Sequence, residues 1–156
     1  MARILTDTNI WLRVADPGAT QHGIAVRAVT RLLSEGHELC LCPQNLIEFW
    51  AVATRPTAAN GFGWTPEEVS AEIAGLEARF ALLPDTPEIF TIWKGLVQSS
   101  PIRGKRTHDA RLAAVYLAHR AHALLTFNAD DFATFSALRL LDPPTVEQAG
   151  FSDEPR

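Results

Sequence analysis

A chain of 156 residues, 47% of them hydrophobic, is long enough to fill the core of one domain. Its formal net charge of −4 argues against a protein that coats nucleic acid along its whole surface. Carboxylates that hold cations are counted in that balance while their cations are not, so a nuclease is not excluded. No stretch approaches the roughly twenty apolar residues of a membrane span, and Met1-Ala2-Arg3-Ile4-Leu5-Thr6-Asp7 is interrupted too soon for a signal peptide. A cytoplasmic location without membrane contact is the expectation.

In chain order, Arg3 to Asp7 reads as a short buried strand ending in an acid, with Thr8-Asn9 opening a turn. Residues 19–35 carry apolar side chains at helical spacing and stop before Gly36. A second strand spans 38–42, and Pro43 suits the first turn of a helix that runs to Arg55, before Pro56. Residues 57–64, with Asn60-Gly61 and Gly63, form an irregular loop. Thr65 and Glu68 make a capping box for the next helix. A strand at 80–83 leads to Thr86, which caps a helix reaching Gln98; residues 99–107 are a loop rich in Pro, Gly and basic residues. A helix over 108–121, a strand over 123–127 and a last strand over 138–141 follow.

Strands that alternate with helices in this way predict an α/β fold: a parallel sheet with helices on both faces. The domain is expected to span residues 1–142, with 143–156 as a C-terminal tail, loose from Ser152 onward. Cys40 and Cys42, two apart in a strand, share a face and are poorly placed to bridge each other; they read as small buried hydrophobes.

Binding sites of open parallel sheets form beyond the carboxyl ends of the strands. Asp7 closes the first strand, where it serves as a helix cap or as a ligand. Glu48 lies among apolar neighbours in the helix that leaves the second strand, either facing solvent or facing a site. Asp109 opens a helix, where an acid complements the helix dipole; His108 beside it reads as a partner or surface residue. Asn128, Asp130 and Asp131 follow the strand ending Thr126-Phe127 and either cap a short helix or repeat the placement of Asp7. Carboxylates gathered in this way need a cation to offset their repulsion, and hard divalent ions prefer oxygen ligands. The basic run Arg103-Gly104-Lys105-Arg106, with Arg111, is either a solvated loop or a phosphate clamp.

Asp7-Thr8-Asn9-Ile10-Trp11-Leu12, the isolated Glu48, His108-Asp109-Ala110 and Thr126-Phe127-Asn128-Ala129-Asp130-Asp131-Phe132 together resemble the PIN-domain nucleases, and more narrowly the VapC toxins of toxin–antitoxin modules. The resemblance runs from about Arg3 to Asp142. It implies a three-layer α/β/α domain with a central parallel sheet of four to five strands. It also implies a Mg²⁺- or Mn²⁺-dependent endoribonuclease. Asp7, Glu48 and Asp109 fall on the family's three main acidic positions, with Asp131 completing the catalytic set. Asn128 stands where many members have a fourth acid, and offers a carbonyl oxygen without charge. Thr6 and Asn9 match supporting polar positions that orient ligands and water. Arg103, Lys105, Arg106 and Arg111 are the candidates for RNA phosphates. The resemblance further implies a transfer, ribosomal or messenger RNA substrate, a small VapB-like antitoxin protein as inhibitor, and a homodimer. Phe49, Trp50, Phe62 and Trp64 serve the core or such an interface.

Two rivals remain at this stage. An aspartyl-phosphate phosphatase would use Asp7 as nucleophile, but such enzymes want a second acid two residues on, where this chain has Asn9. A non-catalytic nucleic-acid- or protein-binding module would keep the fold and lose the metal; Asn128 favours it and three intact acids oppose it.

Overall fold

In the computed structural model, which describes residues 1–154, five parallel strands form a sheet flanked by helices. The strands are β1 (Arg3–Thr6), β2 (Glu38–Leu41), β3 (Ala81–Leu82), β4 (Ala123–Leu125) and β5 (Leu140–Leu141). Their spatial order is β3-β2-β1-β4-β5, so β1 is central and the chain reverses its direction of winding between β1 and β4. That reversal opens a crevice at the carboxyl ends of these two strands, the place where such sheets bind ligands.

The pleat divides the core in two. Ile4, Leu39, Leu41, Ala123 and Leu125 face one side of the sheet, where they meet Ile10, Trp11, Ala28, Leu32, Phe49 and Val69. Leu5, Cys40 and Leu124, one residue out of phase, face the other side and pack on Ile89, Leu112, Ala113 and Val115. The helices of the first layer are α1 (Thr8–Ala15), α2 (His22–Ser34), α3 (Pro43–Thr54) and α4 (Pro66–Arg79). Those of the second are α5 (Pro87–Ser99) and α6 (Arg106–Ala118). A short α7 (Ala129–Phe132) and α8 (Pro143–Ala149) complete the chain. Cys40 and Cys42 are free and buried, as their spacing predicts, and burial pushes their thiols up to about 12 and about 11.

Thr65 and Glu68 form the expected reciprocal cap of α4. In the loop before it, Gly61 runs against the Arg55 carbonyl so closely that a Cβ would lie 2.0 Å from the oxygen. This tight passage brings Phe62 and Trp64 edge-on to buried Phe49. Of the four aromatics singled out from sequence, only Trp50 is substantially exposed, at 39%.

Several elements differ from the sequence reading: α2 begins at His22 rather than residue 19, the last strand covers only Leu140–Leu141 rather than 138–141, and three further differences concern helix starts. Thr8-Asn9 does not open a mere turn: Asp7 Oδ1 accepts the Thr8 N–H at 2.7 Å and starts the eight-residue helix α1. The helix containing Asp109 begins two residues earlier than expected, at Arg106. Residues 143–149, expected as tail, form α8, started by Asp142 accepting from Thr145 N and Oγ1. Val146 is wholly buried in the first core, and Arg31 donates to the Glu147 carbonyl, so this segment is packed onto the domain.

Candidate active site

Asp7 sits one residue beyond β1, and its backbone N–H still donates to Leu125 O across the β1–β4 pair. Both carboxylate oxygens are held. Oδ1 caps α1, while Oδ2 accepts from Thr126 Oγ1 at 2.8 Å and from Asn9 Nδ2 at 3.3 Å. Thr126 Oγ1 in turn accepts from Asn128 N, and Asn9 Oδ1 accepts from Phe127 N. A small polar web therefore ties the end of β1 to the end of β4 and fixes the Asp7 rotamer. Burial pushes the Asp7 carboxyl up to about 6, against the Thr126 and Thr8 hydrogen bonds; the charges of Glu48 and Asp109 add to the rise.

Glu48 projects from α3 toward the same place. Thr8 Oγ1 donates to its Oε2 at 2.7 Å and Gln44 Nε2 to its Oε1 at 2.9 Å. Gln44, one turn earlier on α3, also donates to the His108 carbonyl, so the Glu48 support is anchored to α6. Asn45 Nδ2 reaches the Thr6 carbonyl at 3.0 Å and locks α3 against β1. Asp109 lies in the first turn of α6, its carboxyl raised by burial and by the charges of Asp131 and Glu48, with Arg106 and Lys105 opposing.

These acids line one cleft of about 380 Å³ with Asn128, Asp131 and Lys105. The structure thus brings together five of the sequence candidates for chemistry: Asp7, Glu48, Asp109, Asn128 and Asp131. Arg106 stands at the edge and donates to the Asp131 carbonyl. Arg111 points elsewhere: its guanidinium pairs with Asp85 Oδ1 at 3.0 Å and donates to Gln44 Oε1. Arg103 is exposed on the same loop as Lys105 but does not line the cleft.

Asn9 lies against Asp7, where a supporting residue was expected, whereas Thr6 does not reach the acids. The pleat turns Thr6 under α1, where Oγ1 donates to the Cys40 carbonyl and accepts from Trp11 Nε1, both at 2.8 Å. It is fully buried and makes no hydrogen bond to an acid of the cleft, so it holds β1, β2 and α1 together. Three residues outside the sequence candidates take up the supporting work: Thr126, Thr8 and Gln44. Thr126 and Thr8 carry a legible signal, each lying beside a strand end. Gln44 becomes visible only from its placement one turn before Glu48.

The donor set consists of hard oxygens in a partly buried, like-charged group, the chemistry suited to Mg²⁺ or Mn²⁺. Among the described residues, no three His, Cys, Asp or Glu side chains close on one point as a ready-made cage. An open arrangement still fits a small divalent ion, which keeps several waters and is held by one or two carboxylates. On this donor set the residues fit the ion.

The PIN domain family model matches residues 4–138, from β1 to just before β5. Ribonuclease VapC24 of Mycobacterium tuberculosis is 28% identical over 144 residues, covering 90% of this chain and 97% of that protein. The structure of VapBC-1 from nontypeable Haemophilus influenzae superposes with a TM-score of 0.68 at 20% identity, covering 91% of this chain and 98% of the other. Mycobacterium tuberculosis VapC20, a sarcin-ricin loop cleaving toxin, gives 0.61 at 21%, covering 83% and 93%. The matched span takes in every acid of the cleft, and the chain belongs to the PIN-domain family, with its likeness inside that family running to VapC proteins.

Proposed function

We propose that this chain is a divalent-metal-dependent endoribonuclease and acts as the toxin of a type II toxin–antitoxin module. The observation that carries the reading is the convergence of Asp7, Glu48, Asp109 and Asp131 on one cleft at the switch point of the sheet. Asp7 and Asp109 are the residues to hold Mg²⁺ or Mn²⁺, with Glu48 and Asp131 completing the shell directly or through water; Asn128 adds a neutral oxygen. The chemistry a bound ion supplies there is activation of water and neutralisation of charge on the phosphate as the backbone ester is hydrolysed.

The chain's own groups prepare that step. Thr126 and Asn9 fix Asp7, while Thr8 and Gln44 fix Glu48, so the carboxylates do not have to reorganise when substrate arrives. Lys105 on the cleft wall, with Arg103 on the same loop and Arg106 at the start of α6, supplies positive charge for flanking phosphates. Unpaired RNA fits best, because a scissile phosphate must descend to a recessed cleft. Likeness to a VapC ribonuclease and to a toxin that cleaves the sarcin-ricin loop supports RNA as the substrate class. Likeness to a VapBC structure supports a VapB-like antitoxin as partner, and the exposed Ile47 and Trp50 on α3 offer apolar surface for it or for a homodimer. Among the described residues no helix is long and apolar enough to cross a membrane.

The test is cleavage of a mixed RNA pool by purified, partner-free protein with Mg²⁺ or Mn²⁺, with EDTA, and with Asp7→Asn. Cleavage lost in both controls supports the reading. Cleavage that survives EDTA and the substitution overturns it.

A further inference from the structure

A second cavity of about 360 Å³ opens on the other side of His108, which lines both it and the acidic cleft. Its walls are Thr86, Ile89, Phe90 and Trp93 from the α5 region, and Thr107, His108 and Arg111 from α6. Its volume lies in the range of small-ligand sites. Phe90 is 65% exposed, an unusual position for a ring that belongs to no core. It stacks on Trp93 at 5.8 Å with an interplanar angle of 27°. Trp93 is held by its Nε1, which donates to the Thr107 carbonyl at 2.9 Å, and so gives Phe90 a fixed surface to stack on.

One charged group flanks this platform. Arg111 borders the cavity with its charge partly balanced by Asp85. A flat apolar face with a hydrogen-bonding group at its edge is the pattern that receives an unstacked base. The basic residues Arg103 and Lys105 on the loop entering α6, and Arg106 at its first position, lie between Trp93 and Asp109 in sequence and favour an anionic strand over a protein side chain.

We propose that this cavity is a nucleobase subsite: one base of single-stranded RNA, belonging to a nucleotide next to the scissile phosphate, stacks on Phe90 while its polar edge meets Arg111. The proposal rests on the ribonuclease reading and extends it to the choice of cleavage site.

The test is a cycle between enzyme and substrate, using the full chain with Mn²⁺. Wild type and Phe90→Ala are each given an RNA oligonucleotide containing the mapped cleavage site, and the same oligonucleotide made abasic at each flanking nucleotide in turn. Phe90 is exposed, so the substitution leaves the fold in place, which a melting curve verifies. The expected result is a 5- to 100-fold (order of magnitude) loss of kcat/KM for Phe90→Ala on intact RNA. At one flanking position the abasic loss and the Phe90→Ala loss are not additive, and Phe90→Tyr restores the discrimination. Additive losses at every position overturn the subsite, as does unchanged kcat/KM on intact RNA. If Phe90→Ala impairs only binding of an antitoxin peptide, the cavity is a protein dock and the proposal falls. If wild type cleaves no RNA at all, the ribonuclease reading falls and takes the subsite with it.

Discussion

Replacing Asp7 by Asn is expected to stabilise the metal-free protein while destroying its activity. The Asp7 carboxyl titrates at about 6 in the fold against 3.8 in the free state, burial being the main cause. A group whose folded pKa is raised contributes stability below its unfolded pKa and loses it as pH rises through the folded value. The window is therefore about pH 4 to 7, and above it the ionised Asp7 costs the fold about 3 kcal/mol at full weight. The cleft is open to water, and Asn forfeits part of the acceptor role toward Thr126 and Asn9, worth about 1 kcal/mol. A net gain of about 1–2 kcal/mol remains at pH 7.5, which for a chain of this size raises Tm by about 2–8 °C. The assay is thermal unfolding of both proteins in EDTA at pH 5 and pH 7.5, then with Mg²⁺ added. Asp7→Asn should melt higher at pH 7.5, the gap should shrink at pH 5, and Mg²⁺ should raise wild type alone. A variant that melts lower than wild type at pH 7.5, with the gap unchanged at pH 5, would refute the reasoning.

Thr126→Val removes the donor to Asp7 Oδ2 and should lower cleavage by about 10- to 100-fold with little change in RNA affinity, read by single-turnover kinetics. Thr6→Val should do the opposite: it orphans Trp11 Nε1 and costs about 1–3 kcal/mol by urea unfolding, while kcat of the folded fraction stays at the wild-type value. Val146→Ala empties a fully buried site under α8 and should cost about 2 kcal/mol, a drop of about 4–8 °C in Tm; no drop would mean that the segment after Asp142 is only a tail. Thr8→Val frees Glu48 Oε2 and should weaken Mn²⁺ binding by about 10-fold in calorimetry.

The layered architecture was legible because each strand is short, apolar and followed by a helix with its own start signal, as at Pro43 and Thr65. Helices α1 and α8 were not. Each is short, and each is started by a single Asp that, in sequence, is equally at home as a ligand or in a turn. Asp7 shows why the alternatives could not be separated: it is a helix cap through Oδ1 and lines the acidic cleft as well. Strand ends and helix starts left Asp7, Glu48 and Asp109 open between cap, solvent face and ligand, and only the family resemblance joined them into one site. Roles that depend on rotamer and facing were hidden, so Thr6 read as support and Arg111 as a phosphate ligand, while Gln44 went unnoticed.

The web around Asp7 also sets a schedule. Thr126 lies 119 residues after Asp7, and β4, which it directly follows, docks against β1. During synthesis Asp7, with only its neighbours Thr8 and Asn9 to hold it, waits until β4 has been made, because non-local parallel pairing cannot precede its later partner. A nascent chain interrupted before β4 thus has Asp7, Glu48 and Asp109 in its sequence but lacks the clasp that sets the first of them. The order of translation keeps the cleft unfinished until β4 has been made.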